Sequence, residues 1–97
     1  MAYDPGAIDA ALAAAVGDDP VLVAELRAAF VDSARRALTV VKAADTDEAW
    51  RDALQRLRGL AASFGAVRLG EGAKAAMTAP AGDPRALRQL QRGVERL

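Results

Sequence analysis

Few side chains in this chain can do chemistry, because histidine and cysteine are both absent. Without them, imidazole-based nucleophilic relays and the common transition-metal ligands are missing, which leaves carboxylates for hard cations. The best-patterned segment runs from Trp50 to Ala66, with Gln55, Gly59 and Ala62 recurring at i, i+4 and i+7. If Trp50 marks zero on a helix, Gln55 falls near about 140°, Ala62 near about 120° and Gly59 near about 180°. Arg51 and Arg58 flank this strip near about 100° and about 80°, while Asp52, Arg56 and Ser63 lie on its other side. A carboxamide donates and accepts hydrogen bonds but is no nucleophile at neutral pH, and arginines pair with carboxylate or phosphate. Ser63 has no base placed to activate it. The chemistry expected of Gln55, Arg58, Gly59, Ala62, Arg51 and Asp52 is therefore recognition, with no catalytic residue, no metal site and no cofactor.

Gly59 needs a reason, since a mid-helix glycine on a solvated face costs about 1 kcal/mol relative to alanine. Either a partner approaches the bare backbone there, or Gly59 packs against a neighbouring helix of the same domain. Periodicity leaves both open.

These residues need a scaffold. Ninety-seven residues make one domain, 1–97, rich in alanine, leucine and arginine and poor in β-branched and aromatic side chains. That composition forms helices, and no strand pattern or sequence repeat interrupts it. No disulfide can hold it together. No apolar run approaches the roughly 20 residues of a membrane span, and Met1-Ala2-Tyr3-Asp4-Pro5 does not read as a secretory signal. A cytoplasmic protein with no membrane contact is the expectation.

Asp4-Pro5, Asp19-Pro20 and Asp83-Pro84 each put an N-cap acceptor before a proline whose missing N–H costs nothing at the first helical position. Helices are expected at about 5–15, 20–43, 47–64, 66–78 and 84–96. Their core faces read Ile8, Leu12, Val16; then Leu22, Leu26, Phe30, Ala34, Ala37, Val41; then Trp50, Leu54, Leu57, Ala61, Phe64. The fourth offers Leu69, Ala73, Ala76 and Met77, and the last Leu87, Leu90, Val94 and Leu97. Gly17 suits the end of the first helix, Asp45 and Glu48 have capping-box spacing before the third, and Gly65 ends or bends it. Gly70 and Gly72 are expected to weaken the fourth helix, and Pro80-Ala81-Gly82 is a connection. Short links favour antiparallel neighbours. The expected architecture is an all-α antiparallel up-down four-helix bundle with a short additional N-terminal helix.

Formal charge is zero, yet residues 1–34 carry a net −5 and residues 35–97 a net +5. Arg85, Arg88, Arg92 and Arg96 form a basic side of the last helix, read as a solvated face, as are Arg35, Arg36 and Lys42. No aromatics are interleaved with them, so nucleic-acid binding is not expected. Asp18-Asp19 reads as a cap, because no loop of spaced oxygen ligands for calcium follows. Tyr3 is placed over the bundle end.

The run Leu54-Gln55-Arg56-Leu57-Arg58-Gly59-Leu60-Ala61-Ala62-Ser63-Phe64-Gly65-Ala66-Val67-Arg68-Leu69 resembles the signature helix of the histidine-containing phosphotransfer (HPt) family, roughly A-H-x-L-K-G-x-A-x-x-x-G-A-x-x-L. Leu57, Gly59, Ala61, Gly65, Ala66 and Leu69 match, with Arg58 in place of the lysine. Leu22, Glu25, Leu26 and Phe30 look like the family's opening long helix, and Trp50 sits where members often have an aromatic. The likeness spans roughly residues 15–78, and its motif is moderately specific. It implies a four-helix bundle with a short extra helix, and a partner that is a response-regulator receiver domain or a histidine kinase. Gln55 stands where the family has its phospho-accepting histidine. The resemblance thus implies a monomeric docking or regulatory module that no longer carries phosphate, with Arg58 facing a receiver's acidic pocket and Gly59 leaving room for it. Two other readings stay open: a working phosphotransferase whose histidine was replaced by Gln55, and a helical interaction domain unrelated to phosphorelay.

Overall fold

The computed structural model describes residues 5–17 and 19–97, and among them every regular element is a helix. The helices are α1 (Pro5–Val16), α2 (Pro20–Ala43), α3 (Asp47–Ser63), α4 (Val67–Ala76) and α5 (Pro84–Glu95). Tyr3, Asp4 and Asp18, to which the sequence assigns a covering aromatic, a cap and part of a second cap, lie outside the described residues. No described helix is long and apolar enough to cross a membrane.

Local chemistry sets most helix ends. The Asp19 carboxylate accepts from the backbone N–H of Val21 at 3.0 Å and of Leu22 at 3.3 Å, with Pro20 opening the helix. Asp83 does the same for α5, accepting from Ala86 N–H at 3.0 Å. At α3 the capping box expected of Asp45 and Glu48 is displaced by one residue. Thr46 is the cap, and its hydroxyl accepts from Ala49 N–H at 3.1 Å. Threonine tolerates the extended cap conformation found there, φ −125° and ψ 156°, and its oxygen reaches the third helical N–H.

Gly65 ends α3 in the left-handed region at φ 72°. Ala66 N–H bonds to the Ala61 carbonyl at 2.8 Å and Gly65 N–H to that of Ala62 at 3.4 Å, a Schellman closure that turns the chain straight into α4. α4 stops at Ala76, two residues early. Met77, Thr78 and Ala79 make shorter-range bonds to Lys74, Ala75 and Ala76, which tighten the chain ahead of Pro80.

Packing follows the apolar stripes. α3 lies against α2 and α4, α5 against α4 and α2, and α1 against α2. The core includes Ile8 and Leu12 from α1, Phe30, Ala34, Leu38 and Val41 from α2, and Trp50, Leu54, Leu57 and Ala61 from α3, with Leu69 and Ala73 from α4 and Leu90 and Val94 from α5. The rings of Phe30 and Phe64 stack with centroids 4.6 Å apart. The Trp50 indole N–H, which would otherwise be buried unpaired, donates to the Ala76 carbonyl at 2.9 Å.

Two expectations need correction. Leu22 is not core but 38% exposed. α2 has 24 residues, about 36 Å at 1.5 Å per residue, while α4 has 10 and α5 has 12. The first turns of α2 are nonetheless covered through Val23 and Leu26, which pack against the core; Leu22 lies about 80° round the helix from Phe30, off the buried stripe. Nor is α1 the short member, since its 12 residues equal α5 and exceed α4.

Three glycines are sites of close approach. A Cβ at Gly70 would stand 3.6 Å from Ala61 Cβ, one at Gly72 3.7 Å from Leu90 Cδ2, and one at Gly93 3.3 Å from Leu69 Cδ1. Only the Gly93 distance is tighter than ordinary van der Waals contact; at Gly70 and Gly72 a methyl group would fit.

Candidate functional site

α3 buries one side and presents the other to solvent. Trp50, Leu54, Leu57 and Ala61 are buried, whereas Arg51, Asp52, Gln55, Arg58, Gly59 and Ala62 are all exposed. Among the described residues, apart from its two chain neighbours and the helix's own nearby backbone, no heavy atom lies within 4 Å of a Cβ built on Gly59. Packing of Gly59 inside the domain, one of the two readings of this glycine, does not occur. The glycines that pack are Gly70, Gly72 and Gly93.

Gly59 therefore loosens α3 with no intramolecular return. Gly59→Ala is expected to stabilise the domain by about 0.5–1 kcal/mol, which raises the melting temperature by roughly 2–8 °C for a domain of this size. Thermal unfolding followed by circular dichroism checks this. A lowered melting temperature would mean that the glycine serves the fold.

The six predicted residues do not form one cluster. Arg58 and Ala62 line a surface groove of about 320 Å³ between α3 and α4. The Schellman turn supplies its end through Gly65 and Ala66, and α4 supplies the opposite wall through Val67, Gly70, Glu71 and Lys74. Gln55 and Gly59 lie on the open face beside this groove. Arg51 instead lines a separate depression of about 300 Å³ with Met77, Thr78 and Pro80, near the opposite end of α3. Asp52 is exposed and lines none of these grooves.

The α3/α4 groove has small apolar residues along its length and three charges at its rim, Arg58, Lys74 and Glu71. It can seat an apolar side chain while its two cations pair with carboxylate or phosphate. Ser63 donates its hydroxyl to the Gly59 carbonyl at 3.0 Å, so its proton is already engaged along its own helix. Among the described residues, no three acidic, histidine or cysteine side chains converge to hold a metal ion.

No family model, curated protein or solved structure matches the chain. The arrangement of its own residues carries the functional argument.

Sequence reasoning centred on α3 missed the α4 wall. Val67 is 64% exposed at the start of α4, whose buried residues are Leu69, Ala73 and Ala76. Val67, Gly70, Glu71 and Lys74 stand at i, i+3, i+4 and i+7, so they share one face of α4. That spacing was readable in advance. What hid it was that α4's other stripe, Leu69, Ala73 and Ala76, accounts for the helix by itself.

Proposed function

We propose that the chain is a docking module for an acidic, phosphate-bearing signalling surface, of the kind a response-regulator receiver domain or a histidine kinase presents. The observation that carries this reading is Gly59: a fully regular, exposed helix keeps an open backbone there at a cost in stability. Gln55 stands one turn before it, Arg58 beside it, and an apolar groove with a second cation, Lys74, adjoins it. The resemblance to the HPt family gives the partner class, and Gln55 in the acceptor position makes the contact one without phosphate transfer.

An antiparallel up-down bundle supports the same reading. Lys42 Nζ bonds to Gln91 Oε1 while Arg27 reaches the Leu97 carbonyl, which supports opposite directions for α2 and α5. Trp50 with Ala76, and Gly70 with Ala61, support the same for α3 and α4. Leu69 with Gly93, and Leu90 with Gly72, support it for α4 and α5. In such a bundle the middle of α3 is a rigid ridge free for contact. A monomer in the cytoplasm completes the proposal.

The test uses a receiver domain phosphorylated with a radioactive label from a small-molecule donor. The module is expected to bind it, by calorimetry or co-elution, and to remain unlabelled itself. Label transferred to the wild-type chain would overturn the assignment, as would the absence of binding to a panel of receivers and kinases from the same cell.

A further inference from the structure

A second groove, of about 520 Å³, lies between α4 and α5, on residues that the docking proposal does not use apart from Glu71. The sequence places Arg85, Arg88, Arg92 and Arg96 within about 80° along α5 and its C-cap, and by itself that stripe reads as a solvated face. The tertiary structure changes its meaning. α4 brings Arg68 to the groove that Arg92 and Arg96 line from the other side, so three arginines border one space.

Between them the lining includes Leu69 and two glycines. Gly72 and Gly93 contribute no side chain, and the close approach of Leu69 Cδ1 to the Cβ position of Gly93 shows how tightly the two helices meet there. The lining holds three arginines against one carboxylate, Glu71, with Gln89 as a neutral hydrogen-bonding group. Its local charge is therefore +2, in a chain whose formal net charge is zero. Glu95, the nearest acid along α5, accepts a hydrogen bond from the Gln91 amide at 3.0 Å. The Arg36–Asp32 ion pair lies on α2, away from this groove.

From this geometry we infer that the α4/α5 groove binds a phosphomonoester. Such a group carries about −1.5 to −2 charge at neutral pH with three strong acceptor oxygens, which balances the groove. Guanidinium forks favour bidentate contact with phosphate oxygens. The space exceeds that of the anion alone and admits the organic group that bears it, with Leu69 as an apolar contact. The binding site is separate from the α3 ridge and stands whether or not that ridge docks a receiver.

Gly72 and Gly93 are among the lining residues, and glycine resonances are well separated in ¹H–¹⁵N spectra, so their amides report on the groove. The whole chain is titrated at constant ionic strength with inorganic phosphate, with phenyl phosphate, and with sodium chloride as the control. Saturable shifts of both glycine amides with either phosphate, and none with chloride, are expected. Equal affinity for the two would assign the site to the free ion, and tighter binding of phenyl phosphate would assign it to an organic ester. Arg92→Gln and Arg68→Gln are each expected to weaken binding at least tenfold, Glu71→Gln to strengthen it, and Arg85→Gln, outside the groove, to change it less than twofold. Shifts that never saturate, that chloride reproduces, or that Arg85→Gln reduces as much as Arg92→Gln would overturn the inference.

Discussion

Trp50→Ala is expected to lower the melting temperature by tens of degrees. The side chain is 1% exposed and is the largest in the core. Truncating a buried tryptophan to alanine costs about 3–5 kcal/mol through lost burial and the cavity left behind. The Ala76 carbonyl, which accepts the indole N–H, also loses its partner, at a further cost of about 1–3 kcal/mol if water cannot reach it. A small domain has about 5–15 kcal/mol in total, so this one substitution removes much of it. Trp50→Phe separates the two contributions, since it keeps most of the ring and loses the hydrogen bond, and about 1–3 kcal/mol is expected for it. Urea unfolding followed by circular dichroism measures both variants. A loss below about 1 kcal/mol for Trp50→Ala would mean that the joint between the start of α3 and the end of α4 is not a main support of the fold.

Gly59→Lys is expected to abolish receiver binding without harming the domain. Lysine is the better helix former by several tenths of a kcal/mol, and its side chain enters open space. On the proposed ridge that same side chain stands where a partner must come close. A loss of at least about a hundredfold in affinity is expected, or about 2.7 kcal/mol. Gly59→Leu separates bulk from charge, because a lysine can pair with an acidic partner whereas leucine can only obstruct. Both variants should melt at or above the wild-type temperature while failing to bind. Affinity unchanged in both would move the contact surface away from the middle of α3. Together with the stabilisation expected of Gly59→Ala, such a result would separate the needs of the fold from those of the surface at one position.

Much of the architecture was legible because its determinants are local. Asp19 and Asp83 followed by proline mark helix starts whose N–H groups those carboxylates then satisfy. Gly65 marks an end because a left-handed residue closes the helix most easily without a Cβ. Core periodicity found Trp50, Leu54, Leu57 and Ala61, all buried. It misjudged Leu22, which a spacing of four joins to Leu26 but which lies about 80° round α2 from Phe30, whereas Val23 keeps the buried phase. Thr46 escaped notice because Asp45 and Glu48 offer the same spacing one residue earlier, and only the backbone conformation at the cap decides between them.

The candidate surfaces were legible in part. The exposure of Gln55, Gly59 and Ala62 follows from angular position on one helix, which the sequence contains. Their separation from Arg51 along the axis does not appear in an angular projection, which discards the rise of about 1.5 Å per residue. The sequence by itself determined where the helices start and stop and which side of each is apolar, since both depend on neighbours within about four residues. Only the tertiary structure decided which glycines meet another helix and which meet solvent. It alone set Arg68 against Arg92 and Arg96, and Arg58 against Lys74. Those relations depend on how one helix is placed beside another, a property of the packed core as a whole that no single stretch of chain encodes.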